Sequence, residues 1–346
     1  MKIIHSPLPQ ETIRLSVESS PVWEMILGIA AFTHHQLRHT FEFHEKWNEQ
    51  APTMSATLTS HLQDIQQTNL WYGMLLLQNK VSATSVPDFS NKISALSQQE
   101  LYETLLPYKD RSLEKLRKET VRDAQSFISF SAHFRGHDYL EGYIVTLSQK
   151  KPHEIIQLCS ETLSEWYAWI QQTENWEKWM QALAFEKKAY SSIDVMKPTE
   201  EIKRITGGVN YLPEPSIWQI KLVPHVSYRP WVLEQRTCDT KLLFYPLHDE
   251  ALVAPGTPPQ ALVRGHKALG DELRLKLLHQ MMQGPLSLGE LSVQFNVSKT
   301  TLHHQLSLLK AAKFIGVDKG IYFANATEIQ AFSTKLSHYL HASEPS

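Results

Sequence analysis

The chain has 346 residues, a formal net charge of −2, and 42% hydrophobic against 20% charged residues. That length exceeds what one small core organises and leads us to expect two domains, while the composition excludes a disordered chain. Its two cysteines, Cys159 and Cys238, form no CxxC pair, which excludes a disulfide framework and a thiolate zinc site. No run approaches the roughly 20 apolar residues that span a bilayer. No signal-peptide pattern opens the chain, so a cytoplasmic setting without a membrane partner is expected.

In chain order, residues 12–17 alternate as a short strand would. Ser20-Pro21 then opens an apolar-periodic helix through Trp23, Ile26, Leu27, Ala30 and Ala31. Further helical patterns lie near 56–79, 97–106, 112–148, 152–172 and 174–189. From about 215 the pattern changes, and 216–223, 231–234 and 241–247 read as strands separated by proline-containing turns. Residues 254–260 hold three prolines and a glycine, which suits neither a helix nor a central strand. The expected fold class is therefore mostly α with small β elements (α+β). It comprises a helical domain over 1–253 with a small sheet from its start and end, a linker over 254–260, and a second domain over 261–346.

The second domain carries the sharpest signals. Gly270 ends one helix and Asp271 caps the next, which bears a stripe of Leu273, Leu277 and Leu278. Gly284-Pro285 breaks that helix. Ser287 and Glu290 then form a capping box for a short helix burying Leu288, Leu291 and Phe295. Asn296-Val297-Ser298 makes a turn, with Ser298 capping a further helix whose Leu302, Leu306 and Leu309 face the core. Its other face presents Lys299, Thr300, Thr301, His303, His304 and Lys310. Two helices joined by a tight turn expose the start of the second to the major groove, where hydroxyl and basic side chains suit phosphates and base edges. Residues 314–317 and 321–323 form a hairpin around Asp318-Lys319-Gly320, a wing with Lys319 at its tip. Residues 261–326 hold eight Lys/Arg against four Asp/Glu, a local +4 inside an acidic chain. Double-stranded DNA is the expected partner.

KALGDELRLKLL, followed by PLSLGELSVQFNVSKTTLHHQLSLLKAAKFI, resembles the arsenic-repressor (ArsR) family of winged-helix regulators over about 65 residues. The resemblance implies that Ser298, Lys299, Thr300, Thr301, His303 and His304 contact DNA, and that the protein acts as a dimeric regulator, a repressor. SSPVWEMILGIAAF and KLLFYPL are similar to the helical N-terminal domain of some large, two-domain members. The chain departs from the family pattern in a short wing loop and in lacking its metal ligands. The helix before the turn reads LSLGELSVQF without C-x-C, and His338 and His341 lack the spacing of the zinc sensors. Arg274 reads as a structural or phosphate-pairing arginine. Ile329, Phe332, Leu336 and Leu340 form an apolar stripe on a terminal helix, which suits either a homodimer interface or packing on its own domain.

Three constellations in the first domain stay open. His34, His35, His39 and His44 cluster with Glu42 and Glu45, and His35 and His39 stand at i, i+4; a shared metal or a solvated helix face fits. His133 and His137 repeat the spacing beside Asp138 and Glu141. Trp166, Trp169, Trp176 and Trp179, with Tyr167, line either a ligand pocket or the core. No P-loop, nucleophile elbow, HExxH or dinucleotide fingerprint occurs, so neither an enzyme nor a cofactor nor a bound metal is expected. The leading reading is a DNA-binding regulator whose large domain dimerises or senses an unknown small-molecule effector. The alternative makes that domain a metal-dependent enzyme or small-molecule binder fused to a DNA-anchoring or protein-binding winged helix.

Overall fold

The computed structural model describes residues 13–34, 37–172, 175–190, 193, 197–247 and 258–341. The chain divides into two compact units, Met1–Arg38 with Phe43–Leu247, and His39–Glu42 with His248–Ser346. The division between Leu247 and His248 lies before the stretch 254–260 expected as a linker. Residues 254–257 lie outside the described residues, and Pro258-Pro259 leads straight into the first helix of the second unit.

In the first unit, β1 (Arg14–Val17) is followed by helices α1 (Pro21–Thr33), α2 (His44–Gln50), α3 (Ala56–Thr68), α4 (Leu70–Val81), α5 (Val86–Ser94) and α6 (Gln98–Leu105). Next come α7 (Glu114–Thr120), α8 (Ala124–Ser131), α9 (Leu140–Gln149), α10 (Pro152–Ile170), α11 (Trp176–Ala189) and α12 (Pro198–Ile205). Strands β2 (Gln219–His225), β3 (Leu233–Arg236) and β4 (Thr240–Pro246) complete the unit. The sheet runs β1-β2-β4-β3, with β1, β2 and β4 parallel and β3 antiparallel. Central β2 is buried along nearly its whole length, as a parallel strand covered on both faces must be. The sheet thus joins the two ends of the unit around the helices, and the fold is mostly α with small β elements.

Helix α1 explains itself locally. Ser20 accepts a hydrogen bond from the Trp23 N–H at 3.3 Å, Pro21 pre-sets the first turn, and apolar residues then occupy every face. Its one buried acid, Glu24, accepts from the N–H groups of Val226 and Ser227 and from the Ser227 hydroxyl, tying the helix to the chain leaving β2. Burial pushes the Glu24 carboxyl up despite these bonds. Next to it, His225 is fully buried against the Trp231 carbonyl, and desolvation pushes its imidazole down to about 3.

The tryptophans form core. Trp166, Trp169, Trp176 and Trp179 are all buried. Trp47 meets Trp166 edge-on at 5.5 Å, Phe43 packs on Trp179 at 4.7 Å, and Trp169 Nε1 donates to Thr53 Oγ1 at 3.0 Å. A pocket reading of this cluster is set aside, because the indoles fill one another's faces.

Several helical expectations are corrected. The pattern over 56–79 is two helices, because Asn69 turns left-handed (φ 54°) between α3 and α4. The pattern over 112–148 breaks into α7, α8 and α9, where Asp123 caps a new start and Gly136 takes φ 84°. His133 and His137 therefore do not share a helix face. His137 Nδ1 instead faces the Leu140 N–H at 3.4 Å. Helices α2, α5 and α12 lie outside the helical patterns read from sequence; each is short and buries few residues.

The second unit contains α13 (Gln260–Leu269), α14 (Glu272–Gln283), β5 (Leu286–Ser287), α15 (Leu288–Phe295), α16 (Lys299–Ala311), β6 (Ile315–Asp318), β7 (Ile321–Ala324) and α17 (Ala326–His341). Its sheet runs β5-β7-β6 and is antiparallel throughout. Strand β5 is an addition to the expected hairpin; only Leu286 and Ser287 pair there, too few for a sequence pattern. Leu277, Leu278, Met281, Leu291, Leu302, Leu306, Leu309 and Phe314 form one core. At about 1.5–3 kcal/mol per fully buried side chain, these leucines fix α16 on its inner face.

Candidate DNA-binding interface

The helix-turn-helix is built by caps at both of its joints. Ser287 accepts from the Glu290 N–H at 3.2 Å, and Glu290 accepts from the Ser287 N–H at 2.7 Å. This reciprocal box starts α15 and holds the Glu290 carboxyl below the usual carboxylate range. Helix α15 ends at Asn296, which adopts the left-handed conformation (φ 52°) that asparagine tolerates. Ser298 then caps α16, accepting from the Thr301 N–H at 3.1 Å. Asn296 and Ser298 together set the turn that aims α16 outward.

Helix α16 has two faces. Leu302, Leu306 and Leu309 are buried, whereas Ser298, Lys299, Thr300, Thr301, His303, His304 and Lys310 are exposed. The first turn is doubly suited to an anion. Its free N–H groups carry the positive end of the helix dipole, and Lys299 adds a full charge. Thr301 Oγ1 lies 2.9 Å from Ser298 Oγ, so this hydroxyl belongs partly to the cap. The His304 ring sits 4.1 Å from that of His39, and His39 Nε2 lies 3.3 Å from Ser307 Oγ. Lys299 and Thr300 are thus the cleanest exposed pair of the set.

The wing is a two-residue hairpin. Lys319 (φ 47°) and Gly320 (φ 81°) both take positive φ, the geometry that matches the twist of a tight β-hairpin and that glycine makes cheap. Lys319 is exposed at its tip. The set expected to touch DNA is accordingly divided between the start of α16, its far end at Lys310, and the wing tip.

Sequence reading missed the part played by Gln305, which accepts from Arg274 Nη1 at 2.7 Å. No periodicity marks it; the signal available was Arg274 itself, three residues after the Asp271 cap.

The order of helices, turn, recognition helix and wing is now in place. The family model for bacterial regulatory proteins of the arsR family matches residues 271–315, from the cap of α14 to the start of β6. The transcriptional repressor SdpR of Bacillus subtilis (strain 168) is 37% identical over 68 residues, covering 76% of that protein and 18% of this chain. The chain belongs to the ArsR family. No solved structure matches it. As an ArsR-family helix-turn-helix protein it is a DNA-binding transcriptional regulator whose partner is double-stranded DNA.

Among the described residues, no three His, Cys, Asp or Glu side chains are grouped to hold a metal ion. His35 lies outside the described residues, and its sequence neighbours separate: His39 lies by α16, while Glu42 pairs with Arg264. Also among the described residues, no helix is long and apolar enough to cross a membrane.

The terminal stripe is split. Phe332 sits over Gly265 of α13, where a Cβ would come within 2.2 Å of its ring, and meets Phe314 at 5.2 Å. Ile329 packs on the same core. Leu336 is half-buried and Leu340 is 66% exposed. The stripe therefore serves its own unit at its start and faces outward at its end.

Proposed function

We propose that the protein is a dimeric repressor, residing in the cytoplasm, that reads operator DNA with Ser298, Lys299, Thr300, Thr301, His303 and His304. Lys310 and Lys319 would add phosphate contacts. The observation that carries this reading is the capped, outward-facing first turn of α16, held from behind by buried leucines. A two-fold dimer places two such helices on half-sites about one DNA turn apart. The outward end of α17, at Leu340, supports an interface between copies. Repression on the pattern of SdpR, a named transcriptional repressor, follows if the occupied operator overlaps a promoter. The large domain, expected over 1–253, is the place where a small-molecule effector would act. Such an effector must bind the DNA-competent and incompetent arrangements with different affinity.

Genome-wide mapping of bound DNA tests the reading. The wild type should enrich discrete promoter sites, and a Lys299→Ala/Thr300→Ala variant should lose them. Unchanged occupancy in the variant would remove α16 as the reader, and absence of enriched sites in the wild type would remove specific operator binding. His304 is a poorer choice of variant, because its ring already has His39 beside it.

A further inference from the structure

Arg274 is mostly buried, with 12% of its side chain exposed. Every limb of its guanidinium is engaged. Nε donates to the Ala268 carbonyl at 2.7 Å and Nη2 to the Lys267 carbonyl at 2.9 Å. Those two oxygens belong to the last turn of α13, where carbonyls have no partner within the helix and the dipole is negative. Nη1 donates to Gln305 Oε1 at 2.7 Å, on the recognition helix. Asp271 completes the arrangement. Its Oδ1 accepts from the Arg274 N–H at 3.0 Å, and its Oδ2 lies 4.0 Å from Nη1. One side chain on α14 thus joins the end of α13 to the middle of α16.

The leucine contacts behind α16 are non-directional; they set which face of the helix lies on the core. A planar guanidinium with donors in a rigid fork supplies direction. Gln305 is also held by this bond. The bond turns the Gln305 carbonyl oxygen towards Arg274 on α14.

We propose that Arg274 and Gln305 form a strut that sets the orientation of the recognition helix against α13, so that both residues determine operator specificity without touching DNA. This rests on α16 being the reader, as proposed above. The alternative is that Arg274 reaches a phosphate directly.

Salt titrations separate the two. Wild type, Arg274→Lys, Arg274→Ala, Gln305→Ala and Lys299→Ala proteins are titrated with the most enriched genomic duplex and with a scrambled duplex of equal length. Each protein is checked for its helical signal by circular dichroism. The strut predicts that Gln305→Ala and both Arg274 variants lose about tenfold or more for the genomic duplex. Scrambled-duplex affinity and the salt slope stay at wild-type values, and a double Arg274→Ala/Gln305→Ala variant is no weaker than Arg274→Ala alone. A salt slope lowered by about one, with equal loss on both duplexes, would make Arg274 a phosphate contact and overturn the strut. So would wild-type discrimination in Gln305→Ala, which decides the matter if Arg274→Ala does not fold. Lys299→Ala is the control for the underlying reading. If its slope matches the wild type, the fault lies with α16 as reader and not with the strut.

Discussion

Helix α16 and helix α10 are both amphipathic, yet they use their second face differently. On α16 the hydroxyls and cations of the first turn point to water, and Lys299 and Thr300 are exposed. On α10 and its neighbours the distinctive residues turn inward: Trp166 and Trp169 are buried with Trp47, and Glu24 and His225 are buried where α1 meets the sheet. Polar groups left outside are available to a partner, while polar groups drawn inside hold the chain together. The winged helix therefore displays its function on its surface, and the first unit spends its unusual residues on its own stability. Substitutions should separate along that line, with folding failing in one unit and DNA binding in the other.

The largest effect is expected in the aromatic core. Trp166→Ala should destabilise the first unit by about 3–5 kcal/mol, read by chemical denaturation. A change under about 1 kcal/mol would mean the indoles are not the core that the fold assigns. The next effect follows from His225. Its pKa falls from 6.5 to about 3 on burial, so the folded state holds it neutral. That contribution is complete above pH 6.5 and is lost as pH falls towards 3. Stability of the first unit should decline over that window, by several kcal/mol in scale, and a His225→Gln variant should decline less steeply. Parallel curves for the two proteins would exclude His225 as the source.

Legibility follows the same division. The winged helix could be read from sequence because its determinants are local: Asp271, Ser287 and Ser298 cap, Asn296 turns, and leucines repeat at helical spacing. Its expected contact residues are exposed along α16 and at the wing tip. The Arg274–Gln305 bond was hidden, because it joins residues 31 positions apart with no pattern in either helix. In the first unit the strands, and a small sheet joining the start and end of the domain, were legible, but the parallel direction of β1, β2 and β4 was not. The break at Gly136 separates His133 from His137, so their i, i+4 spacing does not put them on one helix face.

The salt dependence of DNA binding tests the central claim most directly. If the first turn of α16 neutralises phosphates, affinity of the wild type for its enriched duplex falls steeply as salt rises. In Lys299→Ala the slope should shrink by about one for each recognition helix engaged. Affinity that stays flat between low and moderate salt, or an unchanged slope in the variant, would contradict the placement of DNA on this helix.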